Sequence, residues 1–151
     1  MSVLIQGDQL RATLLGTRVE KSTGTLAAST ISLFNVLGGA CLITQIYGEV
    51  TTTITVANSY KLQANPTVGT TRDLVTATDI GTTDTPAGSL LGFDGIAASS
   101  IQQGPGAVPL LMRPIAVNTG TIEHVSAGSD GVILWVITYV PLTNGASITA
   151  A

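Results

Sequence analysis

One stretch of the chain, residues 131–142 with the sequence GVILWVITYVPL, limits the possible folds more than any other. In a strand, successive side chains point to opposite faces. Here both faces are apolar: one carries Val132, Leu134, Val136 and Val140 with Thr138 among them, and the other carries Ile133, Trp135, Ile137 and Tyr139. A strand with one wet face would alternate apolar and polar residues, so both faces of this strand must be covered.

Two explanations of that pattern remain open. The strand is either wholly internal to its own domain, or it has one face in the core and a second face, with Trp135 and Tyr139, against the edge of the opposing sheet or a partner subunit. Aromatic residues are enriched at the cores of protein interfaces, so these two side chains are candidate interface residues.

Most of the chain has the composition of short strands separated by turns. Thr, Val and Ile abound, and Gly and Pro punctuate them at short intervals. This pattern predicts an all-β fold: a single-domain, antiparallel β-sandwich of jelly-roll type. The predicted strands are 25–36, 40–50, 51–58, 60–65, 73–80, 89–93, 109–118, 120–128, 131–142 and 146–151.

The N-terminal part of the chain is ambiguous. Segment 7–21 fits a short helix, with Asp8 near its N-cap, or a strand, because Gly16 interrupts the helical pattern and β-branched residues follow. We therefore divide the chain into an N-terminal segment or arm, 1–24, and a sandwich domain, 25–151. The first residues, MSVLIQ, are apolar although terminal, which makes Val3, Leu4 and Ile5 candidate contacts with a neighbour.

Composition excludes several classes of partner. Only 10% of residues are charged, against about 25% in average proteins, while 44% are hydrophobic. Few charges give little protection against self-association, which suits a subunit of an assembly. The net charge is −3 and the six basic residues are scattered, so we expect no nucleic-acid ligand. No apolar run is long enough for a membrane span, so we expect no membrane partner.

Residues capable of catalysis or metal binding are few. The single histidine, His124, is expected to be a polar strand residue, and the single cysteine, Cys41, a small buried hydrophobe. Asp79 and Asp84 share a turn-rich loop that lacks the alternating pattern of a calcium site, so turn formation is the favoured role. We therefore expect no catalytic, cofactor-binding or metal-binding residues and no cofactor, and an enzyme with a site shared between subunits is the weakest hypothesis.

Two stretches carry a resemblance to a known family. They are 36–80, which includes GGACLITQIYGEVTT and ANPTVGTTRDL, and 120–151, which includes GVILWVITYVPLTNGA. Together they resemble a family of small virion structural proteins of tailed bacteriophages. The resemblance does not cover the loop at 94–109, and Ala40 and Cys41 stand where the family often has a basic residue after the glycine pair.

The resemblance implies a virion component made in the host cytoplasm. The acidic, charge-poor composition fits the outer capsid surface better than contact with packaged DNA. We expect a head decoration or cement protein, a homotrimer that binds the major capsid protein and bridges capsid subunits. The alternative is a tail or head-fibre module that binds a host surface glycan. Met112 and Arg113, between two prolines of the expected edge strand, complete the candidate interface residues.

Overall fold

A computed structural model describes residues 4–151 as one short helix followed by a set of strands. The helix is α1, Gly7–Leu15. The strands are β1 Thr17–Thr25, β2 Ser29–Leu37, β3 Cys41–Thr52, β4 Ser59–Pro66, β5 Arg72–Asp73, β6 Thr78–Asp79, β7 Ser89–Gly92, β8 Gln102–Pro105, β9 Ile115–Val117, β10 Gly120–Ser126, β11 Val132–Pro141 and β12 Ser147–Ala150.

The strands form two sheets that pack face to face, and every pairing is antiparallel. The first sheet has the order β1-β11-β3-β7-β8, with β9 also paired to β3. The second has the order β12-β2-β10-β4-β5, with β6 also paired to β4. The predicted all-β antiparallel sandwich is confirmed, and its jelly-roll character stays a prediction.

Strand β11 lies inside the first sheet, between β1 and β3, and its aromatic face is the core face. Ile133, Trp135 and Ile137 are completely buried, and Tyr139 is 6% exposed. The face expected to meet a sheet edge or a partner is therefore the one that fills the sandwich. The valine face is the outer one, where neighbouring strands bury Val136 but leave Val140 39% exposed.

An aromatic cluster ties the two sheets together. Trp135 on β11 donates a hydrogen bond from its indole Nε1 to the hydroxyl oxygen of Tyr60 on β4, at 2.8 Å. The two rings are nearly parallel, 7° apart with centroids separated by 6.2 Å, and the ring of His124 on β10 stacks on the other side of Tyr60 at 5.5 Å. Gly48 lies opposite Trp135 on β3, and a side chain there would be 3.2 Å from the indole ring. The glycine therefore leaves the space that the tryptophan occupies.

The N-terminal segment is helix and strand in succession. The helix ends at Leu15, and Gly16 joins it to β1, which pairs with β11 and belongs to the first sheet. The sandwich therefore begins at Thr17, and the boundary drawn at residue 24 falls too late. Gly16 has φ +95°, and a Cβ at this position would collide with the carbonyl oxygen of Tyr139. Only glycine fits this junction.

Several strand boundaries differ from the prediction. The predicted strand 40–50 is confirmed as β3, Cys41–Thr52, whereas the separate strand 51–58 is wrong, because β3 ends at Thr52 and residues 53–58 form no further strand. Strand 109–118 is reduced to Ile115–Val117, since its prolines remove amide donors from the ladder. Strand β8, Gln102–Pro105, falls in the segment expected to be a surface loop.

The hydrogen bond between the sheets gives a stability prediction. Tyr60→Phe removes the acceptor and leaves the buried indole N–H of Trp135 without a partner. The free energy of unfolding should fall by about 1–3 kcal/mol in urea denaturation. Tyr47→Phe is the matched control, because Tyr47 is half-buried on the outer face of the first sheet and its loss should change stability by less than about 0.5 kcal/mol. Equal effects of both substitutions would contradict the role given to the Trp135–Tyr60 pair.

Candidate interaction surface

The only histidine is enclosed in the core. His124 has no exposed surface, and neither ring nitrogen has a hydrogen-bond partner among residues 4–151. Burial lowers the pKa of its imidazole to about 4. The polar strand residue expected from the sequence is thus an inward-facing member of the aromatic cluster. The thiol of Cys41 is also fully buried, as predicted, and burial raises its pKa.

The acidic residues of the loops stabilise the loops themselves. One carboxylate oxygen of Asp79 accepts hydrogen bonds from the backbone N–H groups of Asn58, Gly81 and Thr82, at 3.0, 3.0 and 3.2 Å. Hydrogen bonds from Thr82, Gly81 and Asn58 hold the pKa of this carboxyl well below its usual range. The turn-forming role predicted for Asp79 is confirmed.

Asp94 and Asp130 act in the same way. Asp130 accepts from both the backbone and the hydroxyl of Thr55, at 2.8 and 2.7 Å, and Asp94 accepts from the backbone of Ile96 and the hydroxyl of Ser99. These bonds lower the pKa of both carboxyls. Within residues 4–151, no group of three or more His, Cys, Asp or Glu side chains is arranged to hold a metal ion.

Glu123 is the one carboxylate buried on a sheet surface. It lies on β10, facing outward from the second sheet, and it is 9% exposed. Its oxygens accept hydrogen bonds from Gln63 at 2.8 Å, Asn65 at 3.0 Å and Thr121 at 2.9 Å. Burial opposes ionisation, but these three donors outweigh it and lower the pKa. The carboxylate is fully satisfied within its own sheet.

The outer face of the first sheet has polar groups, among them the Arg18–Glu20 ion pair and the hydrogen-bonded Thr44 and Thr138, and an apolar part. We call this part the apolar face and define it by the half-buried or exposed residues Leu42, Tyr47, Leu90, Val108, Leu110, Leu134 and Val140. Part of this face is a groove of about 420 Å³, lined by Tyr47, Leu90, Val108 and Leu110 with Glu49 beside them. Exposed apolar patches of this kind mark interaction sites.

Helix α1 adds a second apolar surface. None of its residues is buried, and Leu10 and Leu14, one turn apart on the same side, are 51% and 70% exposed. The preceding residues, Leu4 and Ile5, are 87% and 70% exposed. The helix ends at the apolar face, where the hydroxyl of Thr44 on β3 donates to the carbonyl oxygen of Leu15.

The structure buries some of the predicted interface residues and leaves others exposed. Trp135 and Tyr139 lie in the core, so the interface role proposed for their face is replaced by the core alternative. Met112, 82% exposed, and Arg113, also exposed, lie on the chain just after Leu110, a residue that lines the groove. Leu4 and Ile5 are exposed on the N-terminal segment, and Val3 lies outside the described residues.

Sequence reasoning missed the groove and the helix surface for different reasons. The spacing of Leu10 and Leu14 is a helical signal that places both side chains on one face, but it does not show whether that face is buried or exposed. The groove residues come from three separate segments, β3, β7 and the loop that contains Val108 and Leu110, so they form no local pattern.

Comparison with protein-family models, with curated proteins and with solved structures finds no match to this chain. In residues 4–151, no helix has both the length and the apolarity that a membrane span requires.

Buried His124 gives a prediction for the pH dependence of stability. Below pH 6.5 the histidine of the unfolded chain gains a proton, while the folded chain resists protonation until about pH 4. Stability is therefore lost as the pH falls through this window, by about 2 kcal/mol between pH 7 and pH 5. Urea denaturation at each pH measures it.

His124→Phe is the control for that measurement, because it keeps a ring beside Tyr60 and removes the titrating group. The free energy of unfolding of the variant should not fall between pH 7 and pH 5. The four carboxyls with lowered pKa lose their stabilising bonds only at lower pH, so they do not obscure this window. If the free energy of unfolding of the variant fell with pH as steeply as that of the wild type, the effect would belong to another group.

Proposed function

We propose that this protein is a decoration or cement protein of a tailed-phage head, which binds the major capsid protein on the outer surface and stabilises the shell by bridging its subunits. The observation that carries the proposal is the combination of few free reactive groups with exposed apolar side chains. His124 and Cys41 are buried, and Asp79, Asp94 and Asp130 are bound to loop backbone. Among the exposed large apolar side chains are Leu10 and Leu14 on α1, Val140 on β11 and Met112, and part of the outer face of the first sheet is an apolar groove.

The family resemblance of 36–80 and 120–151 supports the same proposal. The stretches that carry it contain the long strands β3 and β11 of the first sheet and β4, β5, β6, β10 and β12 of the second. A cement protein acts by adding buried interface, and interface cores are apolar at their centres. The net charge of −3 favours the outside of the head over contact with DNA. The jelly-roll topology and the trimeric state belong to this proposal.

Binding of a host glycan is the less supported alternative. Sugar sites typically present aromatic rings to the solvent. All six aromatic residues lie within the described part of the chain, and five of them are buried; only Tyr47 is half-exposed. The polar outer face around Glu123 offers hydrogen-bonding groups, but its carboxylate is already satisfied.

Copy number in purified virions tests the proposal. Quantitative mass spectrometry should find this chain at a number comparable with that of the major capsid protein. A far smaller number would transfer the protein to the neck or tail and make host binding the leading hypothesis. Absence from virions would overturn both.

A second test concerns the exposed loop at Met112 and Arg113. Heads that lack the protein should rebind the purified chain, and the double substitution Met112→Ser, Arg113→Glu should weaken that binding at least tenfold, since it removes an exposed apolar contact and reverses a charge. Val68→Ser is the control, because Val68 is 85% exposed and lies on a different loop, the one that follows β4. Equal binding by the wild-type chain and the double variant would exclude the loop from the contact.

A further inference from the structure

Helix α1 is too short to be stable without packing. It has nine residues, and isolated helices shorter than about 12–15 residues are marginal in water. Its N-terminus is closed by a hydrogen bond from the backbone of Gln6 to the side chain of Gln9, at 3.1 Å, but none of its residues is buried against its own domain. The helix therefore lacks, within its own chain, the packing that stabilises most helices in proteins.

The end of the helix is attached to the first sheet. Gly16 fits closely against the backbone of Tyr139, and its N–H donates to the carbonyl oxygen of Ala12 at 3.0 Å. The carbonyl oxygen of Leu15 accepts from Thr44. These contacts fix the last turn of α1 at the edge of the apolar face, with Leu10 and Leu14 directed to solvent. Within residues 4–151, no part of the chain buries these two leucines.

A second copy of the same chain offers a surface of matching chemistry. The groove is apolar and lined by Tyr47, Leu90, Val108 and Leu110, with the exposed carboxylate of Glu49 at its side. The helix presents two leucines, and Arg11 is its only basic residue and lies next to them. The ion pairs among residues 4–151 are Arg18–Glu20 and Lys61–Asp73, so neither Arg11 nor Glu49 has a partner within the chain.

We propose that α1 of each copy docks in the groove of a neighbouring copy, with Leu10 and Leu14 in the groove and Arg11 paired to Glu49. The contact is head-to-tail, because the helix and the groove are different surfaces. Repeated around a rotation axis it closes a ring, in which every helix and every groove is occupied. The inference rests on the proposed function for its biological setting. In that setting, the docked helix is the contact that holds the copies together.

Light scattering of the full chain measures the contact directly. The wild-type protein should have the mass of two or more chains, each of 15.3 kDa. The double substitution Leu10→Ser, Leu14→Ser should raise the dissociation constant roughly a hundredfold or more, because it removes two apolar side chains from the contact. Circular dichroism should show an unchanged sandwich, since α1 buries no residue in its own domain. Val68→Ser is again the control and should leave the mass unchanged.

Charge reversal tests the proposed pair. Arg11→Glu and Glu49→Arg should each weaken association several-fold, and the chain that carries both should recover most of the loss. A wild-type monomer at all concentrations, or an assembly that is indifferent to the leucine substitutions, would overturn the proposal.

Disulfide trapping identifies which groove the helix occupies. One chain carries Leu14→Cys and the other Leu110→Cys, and the two are mixed with oxidised glutathione; Cys41 is buried and stays in place. A disulfide-linked heterodimer supports docking between copies. A single chain that carries both cysteines and forms the bridge internally as a monomer would overturn it. A result that overturns the docking proposal would not change the copy number of the chain in virions, so that copy number tests the proposed function separately.

Discussion

The contact between Trp135 and Tyr60 is the interaction on which the arrangement of the two sheets depends. It joins the centre of the first sheet to the second through a hydrogen bond and parallel rings, in a core where an unpaired N–H would be costly. Neighbouring residues are fitted to it: Gly48 leaves space for the indole, and His124 packs on the far side of the phenol. Burial raises the pKa of Tyr60 far above its usual range, so this hydroxyl stays protonated at any ordinary pH.

The remaining polar groups differ in kind between the loops and the two outer faces of the sandwich. The carboxylates of Asp79, Asp94 and Asp130 each bind the backbone of a loop, which satisfies amide groups that no strand reaches. Glu123 and its amide partners form a polar cluster on the outside of the second sheet. On the outside of the first sheet, the ion pair of Arg18 with Glu20 and the hydrogen bond of Thr44 with Thr138 lie beside the valines and the leucine of β11.

More of the fold than of the surface could be predicted from the sequence. Composition and turn spacing were sufficient for an antiparallel sandwich. The expectation that both faces of 131–142 are covered holds for the core face, whereas the outer face is only half-buried at Val132 and Leu134 and exposed at Val140. Which face is the core could not be read from the strand, since each carries four large side chains; it depends on Tyr60, which is 75 residues away along the chain. The groove depends on three distant segments, and the exposure of α1 depends on the backbone angle at Gly16, so neither has a local signal.

The position of the only tryptophan has a consequence for measurement. Trp135 is the chain's single indole fluorophore, and it lies between the sheets, fully shielded from water and bonded to Tyr60. Its emission therefore reports the separation of the sheets and is insensitive to events on the surface. The helix and the groove contain no tryptophan. Tryptophan fluorescence of the natural sequence therefore follows unfolding of the sandwich without an added label.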